Sequence, residues 1–137
     1  MKLFKKRSAL TDSIPLHVQK IIREGLFNWV ENRDYRCPVD SIATLAESIG
    51  VAPYQIAEYL QSYVGIKYCT LRKKLRIMDA SYLLLLYSEK PLRHIGRMVG
   101  INDPSNFRMQ FRKGMNLSPL HWRQSILVII NQGDDRA

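Results

Sequence analysis

Residues 95–111 read IGRMVGINDPSNFRMQF, and residues 45–60 read LAESIGVAPYQIAEYL. The two stretches follow one pattern. Each begins as a short amphipathic helix with a small residue inside it, Gly96 or Ala46. A glycine follows, Gly100 or Gly50, and then a second helix with apolar anchors four residues apart: Phe107 and Phe111, or Ile56 and Leu60. The pattern closes at Asn116 in one copy and at Gly65 in the other. Corresponding positions lie 50 residues apart before the turn and 51 after it, so one turn is a residue longer. Glycine supplies the left-handed conformation that ends a helix sharply. The small residue lets two helices cross closely. Each stretch therefore reads as a helix-turn-helix. An ordinary helical bundle with two similar corners is the competing reading, and the shared register counts against it.

The rest of the chain is punctuated for helices. Pro15 suits a helix start, and Val18, Ile21, Ile22, Phe27, Trp29 and Val30 carry helical periodicity to about Arg33. Arg36 to Val39, with Pro38, reads as a loop. Asp40 or Ser41 can cap a helix that runs to Ile49 with Ile42, Leu45 and Ala46 inward. Pro53 opens the next, to about Tyr63. Leu71, Leu75, Met78, Tyr82, Leu83 and Leu86 recur at helical spacing and predict a long helix over about 68–88. Pro91 starts a helix that ends at Gly100, and Asp103-Pro104 and Ser118-Pro119 start the last two. Nothing alternates with period two, so no sheet is expected.

The expected fold is all-α. A basic arm or linker covers 1–14, a first helix-turn-helix subdomain 15–66, a linker helix 67–89, a second helix-turn-helix subdomain 90–131 and a tail 132–137. A helix of about 20 residues is a rod of roughly 30 Å. Successive major-groove faces on one side of B-DNA are roughly 34 Å apart. Such a connector would place two recognition helices in successive major grooves.

Charge agrees with that partner. The 137 residues carry a formal net charge of +9, so the chain should seek polyanions, nucleic acid first and an anionic membrane surface second. The charge is uneven: residues 34–65 are net −3, whereas 66–90 and 91–137 are each net +4. Cys37 and Cys69 show no metal-binding spacing and read as free thiols of a reducing cytosol, at least one of them buried. Lys2, Lys5, Lys6 and Arg7 are not followed by the apolar run of a signal peptide. The longest apolar runs, 82–87 and 126–130, are far too short to span a membrane.

The motif set resembles the DNA-binding domain of the AraC/XylS family of bacterial transcription regulators, over about residues 20–124. The second unit carries the more specific signature: Ile95, Gly100, Asp103, Ser105, Phe107, Phe111, Arg112, Ser118, Pro119, Trp122 and Arg123. Arg76 and Ala80 match the family's linker helix, and Leu45, Ala46, Gly50, Ile56 and Gly65 match in the first unit. Gly96, Ile101 and Asn116 depart from the usual Ala, Phe and Gly. Glu58 and Met109 stand where the family often has a DNA-contacting Arg. The opening helix with Trp29, Val30 and Tyr35 is similar to those that close larger sensor-regulators. The resemblance implies a homeodomain-like, AraC-type double helix-turn-helix that regulates transcription.

In such motifs the exposed face near the start of the second helix enters the major groove. The candidates are Tyr54, Gln55, Ala57 and Glu58 in the first unit, and Pro104, Ser105, Asn106, Arg108 and Met109 in the second. Gln55 or Asn106 can pair bidentately with adenine, Glu58 can accept from cytosine, and Met109 can touch a thymine methyl group. Glu58 can equally be a solvated charge that weakens binding, and Asn106 can serve only its own helix start. Arg112, Lys113, Arg108, Lys73, Lys74 and Arg72 suit phosphate better than bases, although a charge run is usually a solvated face. Arg76 is expected to tie the linker helix to a neighbouring subdomain, with Asp103 as its candidate partner. Trp29, Phe107, Phe111 and Trp122 read as core or near-core.

No catalytic motif is present. His17, His94 and His121 lack metal-ligand spacing, and there is no nucleophile elbow or phosphate-binding glycine loop. No enzyme, cofactor or metal is expected. The expected partners are double-stranded DNA, RNA polymerase and an upstream sensor domain outside this chain. The expected place is the cytoplasm at the nucleoid, with a parent protein tethered to the membrane as one reading of the basic arm. The alternative is a basic helical interaction module for a protein partner or an anionic membrane surface.

Overall fold

The computed structural model describes residues 14–136, with side chains described through residue 133. The basic arm ahead of residue 14 lies outside the described residues. Seven α-helices account for most of what is described: α1 Leu16–Glu31, α2 Ile42–Ile49, α3 Pro53–Tyr63, α4 Tyr68–Leu86, α5 Leu92–Met98, α6 Pro104–Met115 and α7 Pro119–Arg136. No strand occurs among the described residues. A short 3-10 turn at Asp34–Arg36 leads into the segment expected to be a loop, sharing Arg36 with it. The fifth helix ends at Met98 rather than at Gly100, and α7 runs on through most of the expected tail.

Two compact units divide the chain. One takes residues up to Tyr35 and Val39–Arg72; the other takes Arg36–Pro38 and Lys73–Ala137. The boundary falls inside α4, between Arg72 and Lys73.

In the first unit, Ile22, Trp29, Leu45, Ala46, Ile56 and Leu60 are buried. Ser41 caps α2 by accepting from the Thr44 backbone N–H, and the Thr44 hydroxyl accepts from the Ser41 N–H in return. This satisfies two of the donors that a helix start leaves open. Gly50 ends α2 with φ +79°, the left-handed geometry the sequence required of it. Trp29 donates from Nε1 to Asp40 Oδ1 at 3.3 Å. Asp40 also accepts from the Tyr68 hydroxyl and, through its carbonyl, from Arg72 Nη1. Asp40 therefore ties α1 to the start of α4 inside one unit.

The second unit is built around Ile77, Ala80, Leu83, Leu84, Ile95, Val99, Ile101, Phe107 and Phe111, with Trp122 packed against them. Asp103 caps α6 by accepting from the Asn106 N–H at 2.9 Å, with Pro104 in the first turn. Asn116 ends α6 at φ +61°. Asparagine tolerates this left-handed conformation better than other residues with a Cβ, which accounts for its standing where a glycine is usual. A Cβ on Gly96 would come within 2.9 Å of the Phe107 ring, so α5 and α6 cross as closely as the small residue suggested. Arg123 donates to the carbonyls of Leu84 and Tyr87, closing the open end of α4 and anchoring α7. Burial lowers the pKa of that guanidinium.

Three expectations are corrected. Both Cys37 and Cys69 are free and exposed, so neither is a buried hydrophobe. Arg76 is buried and ties the long helix to residues 36–38 by donating to the Cys37 carbonyl at 2.7 Å, but its expected partner Asp103 instead caps a helix with its carboxylate. Only part of the periodic apolar set on α4 faces the core: Met78, Tyr82 and Leu86 are 63%, 62% and 55% exposed.

Candidate nucleic-acid interface

Each unit presents the start of its second helix. In α3, Tyr54 is 63% exposed. Gln55 is half-buried, and its Oε1 accepts from the Ala52 backbone N–H at 3.0 Å. Ala52 has no side chain able to cap α3, so Gln55 reaches back to do half of that task. Its carbonyl is thus committed to the helix start, and bidentate pairing with adenine would have to break that bond. Ala57 is exposed and Glu58 half-exposed.

In α6, Pro104, Ser105, Arg108 and Met109 are exposed, Met109 at 56%. Arg108 donates to the Ser105 hydroxyl at 3.2 Å. Arg112 and Lys113 are exposed in the last turn, where cations also offset the helix dipole. Phe107 and Phe111 are buried on the opposite side of the helix. Asn106 is half-buried; its Oδ1 accepts from Gln110 Nε2 at 3.1 Å. Gln110 escaped the sequence reading, although its spacing of four from Asn106 was the available signal.

Lys73 and Lys74 are exposed at the start of the α4 segment that belongs to the second unit. One turn later Ile77 lies against Gly114 of α6, 3.0 Å from where a Cβ would stand. The structure thus gathers Lys73, Lys74, Arg112 and Lys113 in one unit, and the Arg36–Asp79 salt bridge involves none of them. Arg72 is corrected: half-buried, stacked over the Tyr68 ring and bonded to Asp40, it is structural rather than phosphate-facing.

Among the described residues no group of three or more His, Cys, Asp or Glu is placed to hold a metal ion. Among the described residues no helix is long and apolar enough to cross a membrane.

Comparisons with known proteins agree with this geometry. A family model described as a helix-turn-helix domain matches residues 45–125. The arabinose operon regulatory proteins of Salmonella typhimurium and Escherichia coli are each 30% identical over 82 residues, covering 60% of this chain. The match takes in only 29% and 28% of those regulators, so this chain spans less than a third of their length. Among solved structures, the C-terminal domain of AraT, a response regulator from Geobacillus stearothermophilus, superposes with TM-score 0.69 at 26% identity over 77% of this chain and 84% of that one. A Chromobacterium violaceum transcriptional regulator with an AraC-type DNA-binding domain gives TM-score 0.66 at 23% identity, over 74% and 91%; at that identity the likeness shows the fold. The basic interaction module is not favoured by any of these matches. This chain belongs to the AraC-type helix-turn-helix family, whose members bind DNA in a sequence-specific manner to regulate transcription and are not enzymes.

Proposed function

We propose that this chain is the DNA-reading part of a bacterial transcription regulator, with α3 and α6 entering successive major grooves of one duplex. The supporting observation is the exposed start of α6. Asp103 and the buried Phe107 and Phe111 hold that helix from behind, leaving Ser105, Arg108 and Met109 open in front. Ser105 and Met109 suit base edges. Arg108, Arg112, Lys113, Lys73 and Lys74 suit phosphates, which position a protein without reading sequence. Tyr54 and Glu58 are the base-facing candidates of the first unit, with Gln55 contributing through its amide nitrogen. RNA polymerase and a sensor domain preceding this chain are the proposed further partners. The proposed place of action is the nucleoid.

A gel shift against a pool of genomic fragments, with excess non-specific competitor, tests this. A small set of fragments should be retained. Equal retention of all fragments, or binding to anionic vesicles without fragment preference, would overturn it.

A further inference from the structure

The Asn106–Gln110 pair on α6 is the least expected polar arrangement in the second unit. Gln110 Nε2 donates to Asn106 Oδ1, and Gln110 Oε1 is buried with no hydrogen-bond partner. A buried acceptor without a partner costs stability. An aliphatic residue at position 110 would avoid that cost, so the amide needs another explanation.

We propose that Gln110 is a positioning residue that fixes the rotamer and polarity of the Asn106 amide, so that Asn106 reads guanine rather than adenine. This rests on the reading that α6 enters the major groove. Adenine recognition by asparagine needs both amide atoms turned to the base: the oxygen to accept from N6 and the nitrogen to donate to N7. The hydrogen bond to Gln110 engages Oδ1 within the helix and so makes the NH2 group the amide end available to a base. Guanine offers two adjacent acceptors, N7 and O6, to such a donor.

The opposite amide polarity, with Asn106 donating to Gln110, would bury a two-donor NH2 group without partners. Orphaned donors are rarer in protein interiors than under-satisfied carbonyls. That asymmetry favours the orientation with the Gln110 carbonyl inward.

Substitution at 110 should therefore change which base is read without changing what touches it. Gln110→Leu releases Oδ1 and should move the preference at one base pair from guanine to adenine. Gln110→Glu puts an acceptor opposite Asn106, draws its NH2 inward and turns Oδ1 out. The preference should then move to cytosine, whose N4 group donates.

The test is selection of binding sites from a randomised duplex library. It uses the full chain, Asn106→Ala, Gln110→Leu and Gln110→Glu, with dissociation constants on single-base-pair variants of the selected site. The unsubstituted chain should favour guanine over adenine at one position by about tenfold, the range of a good base contact. Asn106→Ala should reduce that preference to within about twofold. Both Gln110 variants should switch it, and the neutral Gln110→Leu should leave the salt dependence of binding unchanged. Circular dichroism confirms folding, and Gln110→Glu serves where Gln110→Leu is poorly soluble. If the Gln110 variants shift only the melting temperature and keep the base preference, Gln110 is merely structural and the proposal is wrong. It is also wrong if adenine is preferred throughout. Failure of the underlying reading looks different: the unsubstituted chain would then select no sequence at all.

Discussion

The turn glycine of the second unit is wedged against backbone, whereas that of the first stands in open space. A Cβ on Gly100 would overlap the Arg36 carbonyl oxygen and approach the Arg76 guanidinium at 3.1 Å; nothing lies within 4 Å of the same position on Gly50. Both have positive φ, so the two share a conformational requirement and differ in packing. The difference extends to the reading helices. Asp103 caps α6 through its own side chain, while α3 follows Ala52 and borrows Gln55. The turn and the start of the second helix are thus held more firmly in the second unit, which also carries Lys73, Lys74, Arg112 and Lys113. A helix-turn-helix pattern repeated in sequence is thus packed differently in its two copies.

The largest expected consequence is at those glycines. Gly100→Ala should destabilise the second unit by about 3 kcal/mol or more, because left-handed strain and overpacking act together. Gly50→Ala should cost only about 1 kcal/mol, from conformation alone. Thermal unfolding of the two variants decides this, and equal losses would break the comparison.

A smaller effect is expected at the ion pair inside the second unit. Arg36 meets Asp79 through Nε at 2.5 Å and Nη2 at 2.8 Å, with the Asp79 side chain 8% exposed. Asp79→Asn should destabilise by about 2 kcal/mol, the scale of hydrogen bonds to charged groups. Glu47→Gln, at an exposed position on α2, should alter stability by less than about 0.5 kcal/mol. Denaturant unfolding of both variants measures the contrast.

Smaller still is the effect at Glu58. The first unit is short of positive charge, so Glu58→Arg should tighten binding to all DNA by roughly three- to tenfold through phosphate attraction. Loss of affinity confined to sites with one particular C·G pair would show instead that the first unit reads cytosine through Glu58. Titration against a panel of site variants separates the outcomes.

The sequence carried the architecture because its punctuation is local. Pro53, Pro104 and Pro119 open helices, Gly50 and Gly100 end turns, and Phe107 and Phe111 mark the buried side of α6. These signals act within a few residues and survive without tertiary context. What escaped depends on who stands opposite. Helical spacing puts Met78, Tyr82 and Leu86 in the apolar set of α4, yet of that set only Leu83 joins Ile77, Ala80 and Leu84 in the buried core. A helix with apolar residues on most of its circumference does not announce which side is covered. Arg72 looked like a phosphate ligand until Tyr68 and Asp40 were found beside it. Gln55 and Asn106 were legible as polar residues at helix starts, but their hydrogen bonds to Ala52 and Gln110 fix which atoms remain available.

The central claim is that the second unit anchors the chain on DNA through phosphates. The slope of log Kd against log salt concentration tests it most directly, measured for the chain, for Arg112→Ala and for Lys67→Ala in the first unit. Each phosphate contact contributes about 0.9 to that slope. Arg112→Ala should flatten it by about one and weaken binding to all sequences alike, while Lys67→Ala should leave it unchanged. A flattened slope for Lys67→Ala with an unaltered one for Arg112→Ala would place the anchor in the first unit and contradict the account.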